Sequence, residues 1–178
     1  MALTKAATII GSHVYIFREG DSFTIPTAGT CSSTSKPGST DAGWIDLGII
    51  KTGSVAHGRT TNKIYAPLPG ARRLAKVINT MHELSAKWTL QEISPIVIQM
   101  LFGTLPLGVS STQYNPLEAP DLNAWVKFQW YSETDVLLNT VDHWAMLQIN
   151  STNIGDDKPF EAEVEFFGLY STYNTGTL

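Results

Sequence analysis

Ala66-Pro67-Leu68-Pro69-Gly70, then Arg72 through Trp88, then Thr89-Leu90-Gln91-Glu92-Ile93-Ser94-Pro95 running on to Leu101-Phe102-Gly103, form the stretch that decides how this chain is read. The Pro-Gly opening is an extended turn, because proline presets φ and glycine tolerates the rest. Residues 74–88 then read as one long strand with a bend near Met81-His82-Glu83. Thr89 and Glu92 have capping-box spacing, the threonine hydroxyl meeting the third helical N–H while the glutamate reaches back. Ser94-Pro95 offers a rival start, since serine caps well and proline suits the first helical turn. Ile93, Val97, Met100 and Leu101 share one helical face, and Gly103 is a natural stop.

On the N-terminal side, residues 63–66 are extended, and residues 51–62 are polar and contain glycine. Residues 52–61 are read as the tip of a long hairpin. Loops of that length in a compact domain usually carry function, a surface hairpin without a role being the plain alternative. Residues 44–50 are strand-like. Residues 27–43, dense in Gly, Ser, Thr and Pro, are read as a loop with little capacity to pack. Residues 8–17 form a first strand and residues 23–26 a short second piece.

On the C-terminal side a Pro- and Gly-rich loop runs to about Asn123. Ala124, Val126, Phe128 and Trp130 then alternate with Trp125, Lys127, Gln129 and Tyr131. Residues 136–150 supply one or two further strands around Asp142-His143-Trp144. In the last strand Phe160, Ala162, Val164 and Phe166 oppose Glu161, Glu163 and Glu165. Strands, one helix and strands again predict a mostly β, antiparallel sandwich or barrel. One short flanking α-helix over about residues 90–102 and a long hairpin loop complete a single domain spanning 1–178.

The chain has 178 residues, enough for a genuine core, with 43% hydrophobic and 10% aromatic content. Only 16% of its residues are charged, which leaves surface that neighbours can cover. The net charge of −4 supplies no basic footprint for tight nucleic-acid binding. Arg72-Arg73 is read as a solvated start of a strand. The single cysteine, Cys31, has no internal disulfide partner and suits a reducing compartment. The N-terminus lacks an apolar core segment of secretory type, and no apolar run reaches bilayer length. These features predict a protein made in a cytoplasm, without a membrane anchor.

Candidate chemistry is sparse. His13, His57, His82 and His143 are scattered without ligand spacing, and neither common phosphate loop occurs. Asp142-His143 resembles a catalytic dyad, yet adjacent strand residues point to opposite faces. The sequence therefore predicts no enzyme, no catalytic residue, no cofactor and no metal. Glu161, Glu163 and Glu165, about 7 Å apart per step, repel one another. They suit either a solvated outer face or an acidic wall along a wet channel, where negative charge keeps DNA from sticking.

Trp44-Ile45-Asp46-Leu47-Gly48, Ala66-Pro67-Leu68-Pro69-Gly70 and the run from Thr89 to Gly103 resemble the tail tube (major tail) proteins of long-tailed phages of the siphophage type. The resemblance covers residues 40–105, and the last strand more loosely; residues 104–123 match nothing. It implies a β-sandwich with one flanking helix, assembling into hexameric rings. Such rings stack around a tape measure protein, with tail terminator and tip proteins as further partners, in a virion tail assembled in the host bacterial cytoplasm. DNA passes through without specific binding. The hairpin, here residues 48–64 with Lys51, His57, Arg59 and Lys63, would reach the adjacent ring. Type VI secretion tubes share that architecture. A β-sandwich binding module is the alternative, decorating a capsid or stacking sugars on Trp125, Tyr131 or Trp144. An enzyme using His143 is the third possibility.

Overall fold

The structure, a computed structural model, describes residues 9–19, 31–69, 71–92, 97, 122–153, 155 and 160–177. Its strands are β1 (Ile9–Arg18), β2 (Ile45–Leu68), β3 (Ala71–Leu90), β4 (Leu122–Ser132), β5 (Leu137–Asn153), β6 (Glu161–Gly168) and β7 (Thr175–Thr177). β4, β1, β2, β3, β6 and β5 are successive antiparallel neighbours, and β5 pairs back onto β4. That last pairing closes a six-stranded barrel, so of the two β architectures left open the barrel is the one found. β7 adds to β5 at residues 140–142. Closure leaves the barrel wall without exposed strand edges.

Alternation explains the interior. Ala162, Val164 and Phe166 are buried while the glutamates between them are only half-buried. Ala124 and Val126 face the same core, with Phe128 packed against it. Trp88 meets Phe128 edge-on at 5.1 Å between centroids, and Phe128 meets Phe166 at 5.5 Å, the geometry aromatic quadrupoles favour.

β2 departs from simple alternation. Val14 pairs with Gly48 but Tyr15 with Asp46, leaving Leu47 as an extra residue. Gly48 has φ of 101° and a Cβ there would stand 2.9 Å from Glu92 Cβ, so only glycine fits. A second irregularity at Lys51 follows, since Ile50 opposes Leu90 and Thr52 opposes Thr89. Each inserted residue swaps the strand's faces.

Residues 31–44 correct the expectation of a loop with little packing. They strap a second, smaller core of Phe17, Cys31, Trp125 and Trp144 onto the outer wall, with Trp44 beside it. Trp125 Nε1 donates to the Ser32 carbonyl at 2.8 Å, and Ser171 Oγ to that of Ser33 at 2.6 Å. Lys127, 5% exposed, donates to the Ser39 carbonyl at 3.1 Å and lies 3.9 Å over the Trp44 ring. Burial pushes its ammonium below the ordinary lysine range.

The helix expected over about residues 90–102 does not begin at Thr89-Leu90. Both residues belong to β3, paired with Glu163 and Ala162, so sheet pairing displaces the Thr89 cap. Val97 is helical and fully buried in the barrel core. The other residues from Ile93 to Phe102, including the Ser94-Pro95 start, lie outside the described residues. So do residues 23–26 and the loop over 104–121.

Candidate functional site

β1 accompanies β2 only over residues 45–49, and β6 accompanies β3 only over residues 85–90. Beyond those points β2 and β3 continue alone as an antiparallel pair, from His57↔Leu84 to Leu68↔Ala71, with register shifts at Thr60/Thr61 and Ile64/Tyr65. The result is a two-stranded arm leaving one end of the barrel. At about 3.3 Å per residue, the part of β2 in that arm, residues 57–68, spans roughly 36 Å. The expected hairpin is therefore present but longer, and residues 52–61 lie within its strand, not at its tip.

A two-stranded ribbon is marginal alone, and both its long edges expose unpaired backbone groups. Apolar side chains that would ordinarily be covered are exposed along it: Val55, Ile64, Tyr65, Leu74, Val77 and Met81. Arg59, Lys63, Arg72, Arg73 and Lys76 are its Lys and Arg residues between positions 52 and 84, against one carboxylate, Glu83. That segment carries +4 and the whole chain −4, so the rest of the chain carries −8.

Of the basic residues singled out from the sequence, His57, Arg59 and Lys63 stand at odd positions of β2 and share one face of the arm. They oppose Leu84, His82 and Val77. Lys51 is separated from them by position and partner, since it sits at the barrel and pairs with Glu161. Arg72, Arg73 and Lys76 extend the basic arm on β3. Counting charge by segment would have found them.

The acidic row lies on the outer wall of the barrel. Two of its members are matched, Glu161 by Lys51 and Glu165 by Lys87 at 3.2 Å. Asn150 Nδ2 donates to Glu165 at 2.6 Å and Gln148 Nε2 at 3.3 Å. These bonds, Asn150 first, hold the Glu165 carboxyl below its ordinary range. Mutual repulsion is therefore smaller than the bare spacing implies.

Where the arm leaves, the barrel has an open mouth. Two adjoining cavities of about 240 and 180 Å³ share Val55, Ala86, Phe128 and Trp130 as walls. The larger reaches Ser12 and Trp88, whose buried indole N–H meets no acceptor among the described residues. The smaller is apolar and bounded by Phe166 and His143. Burial pushes the His143 imidazole below its ordinary value, opposed by a hydrogen bond with Asn174.

Asp142 and His143 do not form a dyad. Asp142 turns outward to Lys36 at 2.7 Å, whereas His143 packs 5.7 Å from the Phe166 ring. Among the described residues no group of three His, Cys, Asp or Glu is placed to hold a metal ion. The stacking platform imagined for sugars is also corrected. Trp125 and Trp144 are consumed by the outer core, and half-buried Tyr131 bonds Gln129 at 2.9 Å.

No family model and no curated protein matches this chain. Among solved structures it is similar to a chain of the anti-feeding prophage baseplate, a six-fold symmetrised cryo-EM structure. That match has 12% identity and a TM-score of 0.46, covering 98% of this chain and 97% of the other. It is also similar to a chain in the tail of an empty GTA particle refined with C6 symmetry. There the identity is 10% and the TM-score 0.43, over 76% of this chain and 87% of the other.

Proposed function

We propose that this chain is a structural subunit of a phage-type tail tube, built by copies of itself into stacked hexameric rings around a hollow channel. The observation that carries the reading is the arm. Roughly 36 Å of paired strand, apolar in part and open at both edges, needs a neighbour to cover it. Its +4 charge against −8 elsewhere makes the body of another copy the natural partner. The resemblance of residues 40–105 to tail tube proteins supports the same conclusion.

In this reading the ring encloses the tape measure protein and then passing DNA, and terminator and tip proteins cap the stack. His57, Arg59 and Lys63 meet the next ring, while Lys51 remains with Glu161. Glu161, Glu163 and Glu165 face the channel, and changing all three to Gln leaves assembly intact. Loss of assembly in that triple variant would put the row at a subunit contact instead.

Electron microscopy of the concentrated protein tests the whole reading, with wild type expected to give rings or tubes. A variant in which residues 56–85 are replaced by Asn-Gly joins Val55 to its partner Ala86 through a hairpin turn. It should remain a folded monomer that builds nothing. Tubes from the armless variant, or a wild type that stays monomeric under every condition, overturn the proposal.

A further inference from the structure

We infer that Arg73 and Lys76 on the arm of one copy dock on Asp46 and Glu92 of a second copy, at the bulge of β2; this rests on the tube reading and supplies its receiving surface. Irregular strand pairing makes both halves of the contact. On β2 the extra residue Leu47 is followed by Gly48, whose N–H donates to Asp46 Oδ1 at 2.7 Å. The Glu92 side chain fills the space that a Gly48 Cβ would need. Two carboxylates therefore stand beside one glycine, next to Ile49, which is 42% exposed.

Both carboxylates are open to solvent, the Asp46 side chain being 49% exposed and Glu92 exposed. Neither has a Lys or Arg partner among the described residues; Asp46 has His13 Nδ1 at 3.7 Å. Thr89, the partner of Glu92 by capping-box spacing, is held in β3 instead. The patch is thus acidic around one exposed aliphatic side chain.

The arm carries the complement. Pairing on β3 skips Ala75, so Lys76 opposes Ile64 and Arg73 opposes Ala66. Ile64 and Ala66 lie on one face of the arm, which puts Arg73 and Lys76 there as well, opposite the face of His57, Arg59 and Lys63. Both cations are exposed, and neither has a carboxylate partner among the described residues. No Asp or Glu occurs between positions 47 and 82 to neutralise them. Ile64, 44% exposed, sits among them as Ile49 sits among the carboxylates. Opposite charges set the register of such a contact and the two isoleucines exclude water from it. A chain cannot dock on itself this way, because roughly 60 Å of paired strand separates Asp46 from Ala66. Arm and patch are different surfaces near the two ends of β2, so the contact is heterologous and repeats as a stack instead of closing as a dimer.

Sedimentation velocity and electron microscopy on full-length variants test the docking. Arg73→Glu with Lys76→Glu reverses the arm. Asp46→Asn with Glu92→Lys reverses the patch, and the asparagine keeps an acceptor for the Gly48 N–H. Each variant alone should need at least about tenfold more protein than wild type to assemble, since like charges then meet. Equal mixtures of the two should assemble, because every contact between the two kinds of chain again joins opposite charges. Glu92→Gln, which only removes charge from an exposed group, should raise the requirement about threefold. Wild-type tubes with equally good tubes from both reversed variants overturn the docking and leave the tube reading standing. Folded variants that fail alone and stay apart when mixed do the same, as does an unchanged requirement for Glu92→Gln. A wild type that never associates overturns both.

Discussion

β3 belongs to two different environments. From Ser85 to Leu90 it lies between β2 and β6, and Ala86, Trp88 and Leu90 are buried in the barrel. From Ala71 to Glu83 it pairs only with β2, and Leu74, Val77 and Met81 are exposed. Chemistry changes with the environment, because the arm is basic and the remainder acidic. One continuous strand thus carries core stability at one end and an unsatisfied surface at the other. Substitutions in the barrel should register as unfolding, and those in the arm as lost association.

The sharpest contrast comes from the barrel. Phe166→Ala removes a ring that packs against both Trp88 and Phe128, and should cost about 3–5 kcal/mol in a denaturant titration. A cost below about 1 kcal/mol would mean that the closed barrel is not the stabilising unit. Gly48→Ala forces a side chain into a left-handed position against Glu92, with an expected loss of about 2–3 kcal/mol on the same assay. A neutral result would remove the bulge from the account of β2.

A smaller effect follows from His143, whose folded-state pKa lies below its ordinary value of 6.5 because of burial. The unfolded chain then takes up a proton more readily than the folded one. Stability should decline as pH falls below about 6.5 and level off once the folded form is protonated as well. His143→Gln should flatten that part of the profile; an unchanged slope would mean that another group causes it. Smallest of all, Leu74→Ala in the arm should shift monomer stability by no more than about 0.5 kcal/mol. Thermal unfolding of dilute protein checks this, and a large loss would mean that the arm packs on its own barrel.

Legibility differed between the same two regions. β6 could be read residue by residue, because one face of it is buried and period-2 alternation follows. β4 alternates in sequence too, although the strap buries Trp125 and Lys127 on its outer face as well. β2 could not be read in this way. Bulges at Leu47 and Lys51 exchange its faces within a few residues, and beyond them no core exists to select apolar positions. Polar, glycine-bearing strand then looks the same as loop. The strap over residues 31–44 was hidden for another reason. It is held through the carbonyls of Ser32, Ser33 and Ser39, and backbone acceptors are the same whatever the residue type.

What the amino-acid order determined alone is the β class, the strands with one buried face, the existence of a long hairpin and the scarcity of catalytic constellations. Those properties depend on local periodicity and composition. Barrel closure, the true reach of the arm, the pairing of Lys51 with Glu161 and the mouth beneath Trp88 were settled by tertiary structure. Each depends on which strands become neighbours across a hundred or so residues of chain, and pairing partners are chosen by mutual fit in space, which no single window of sequence contains.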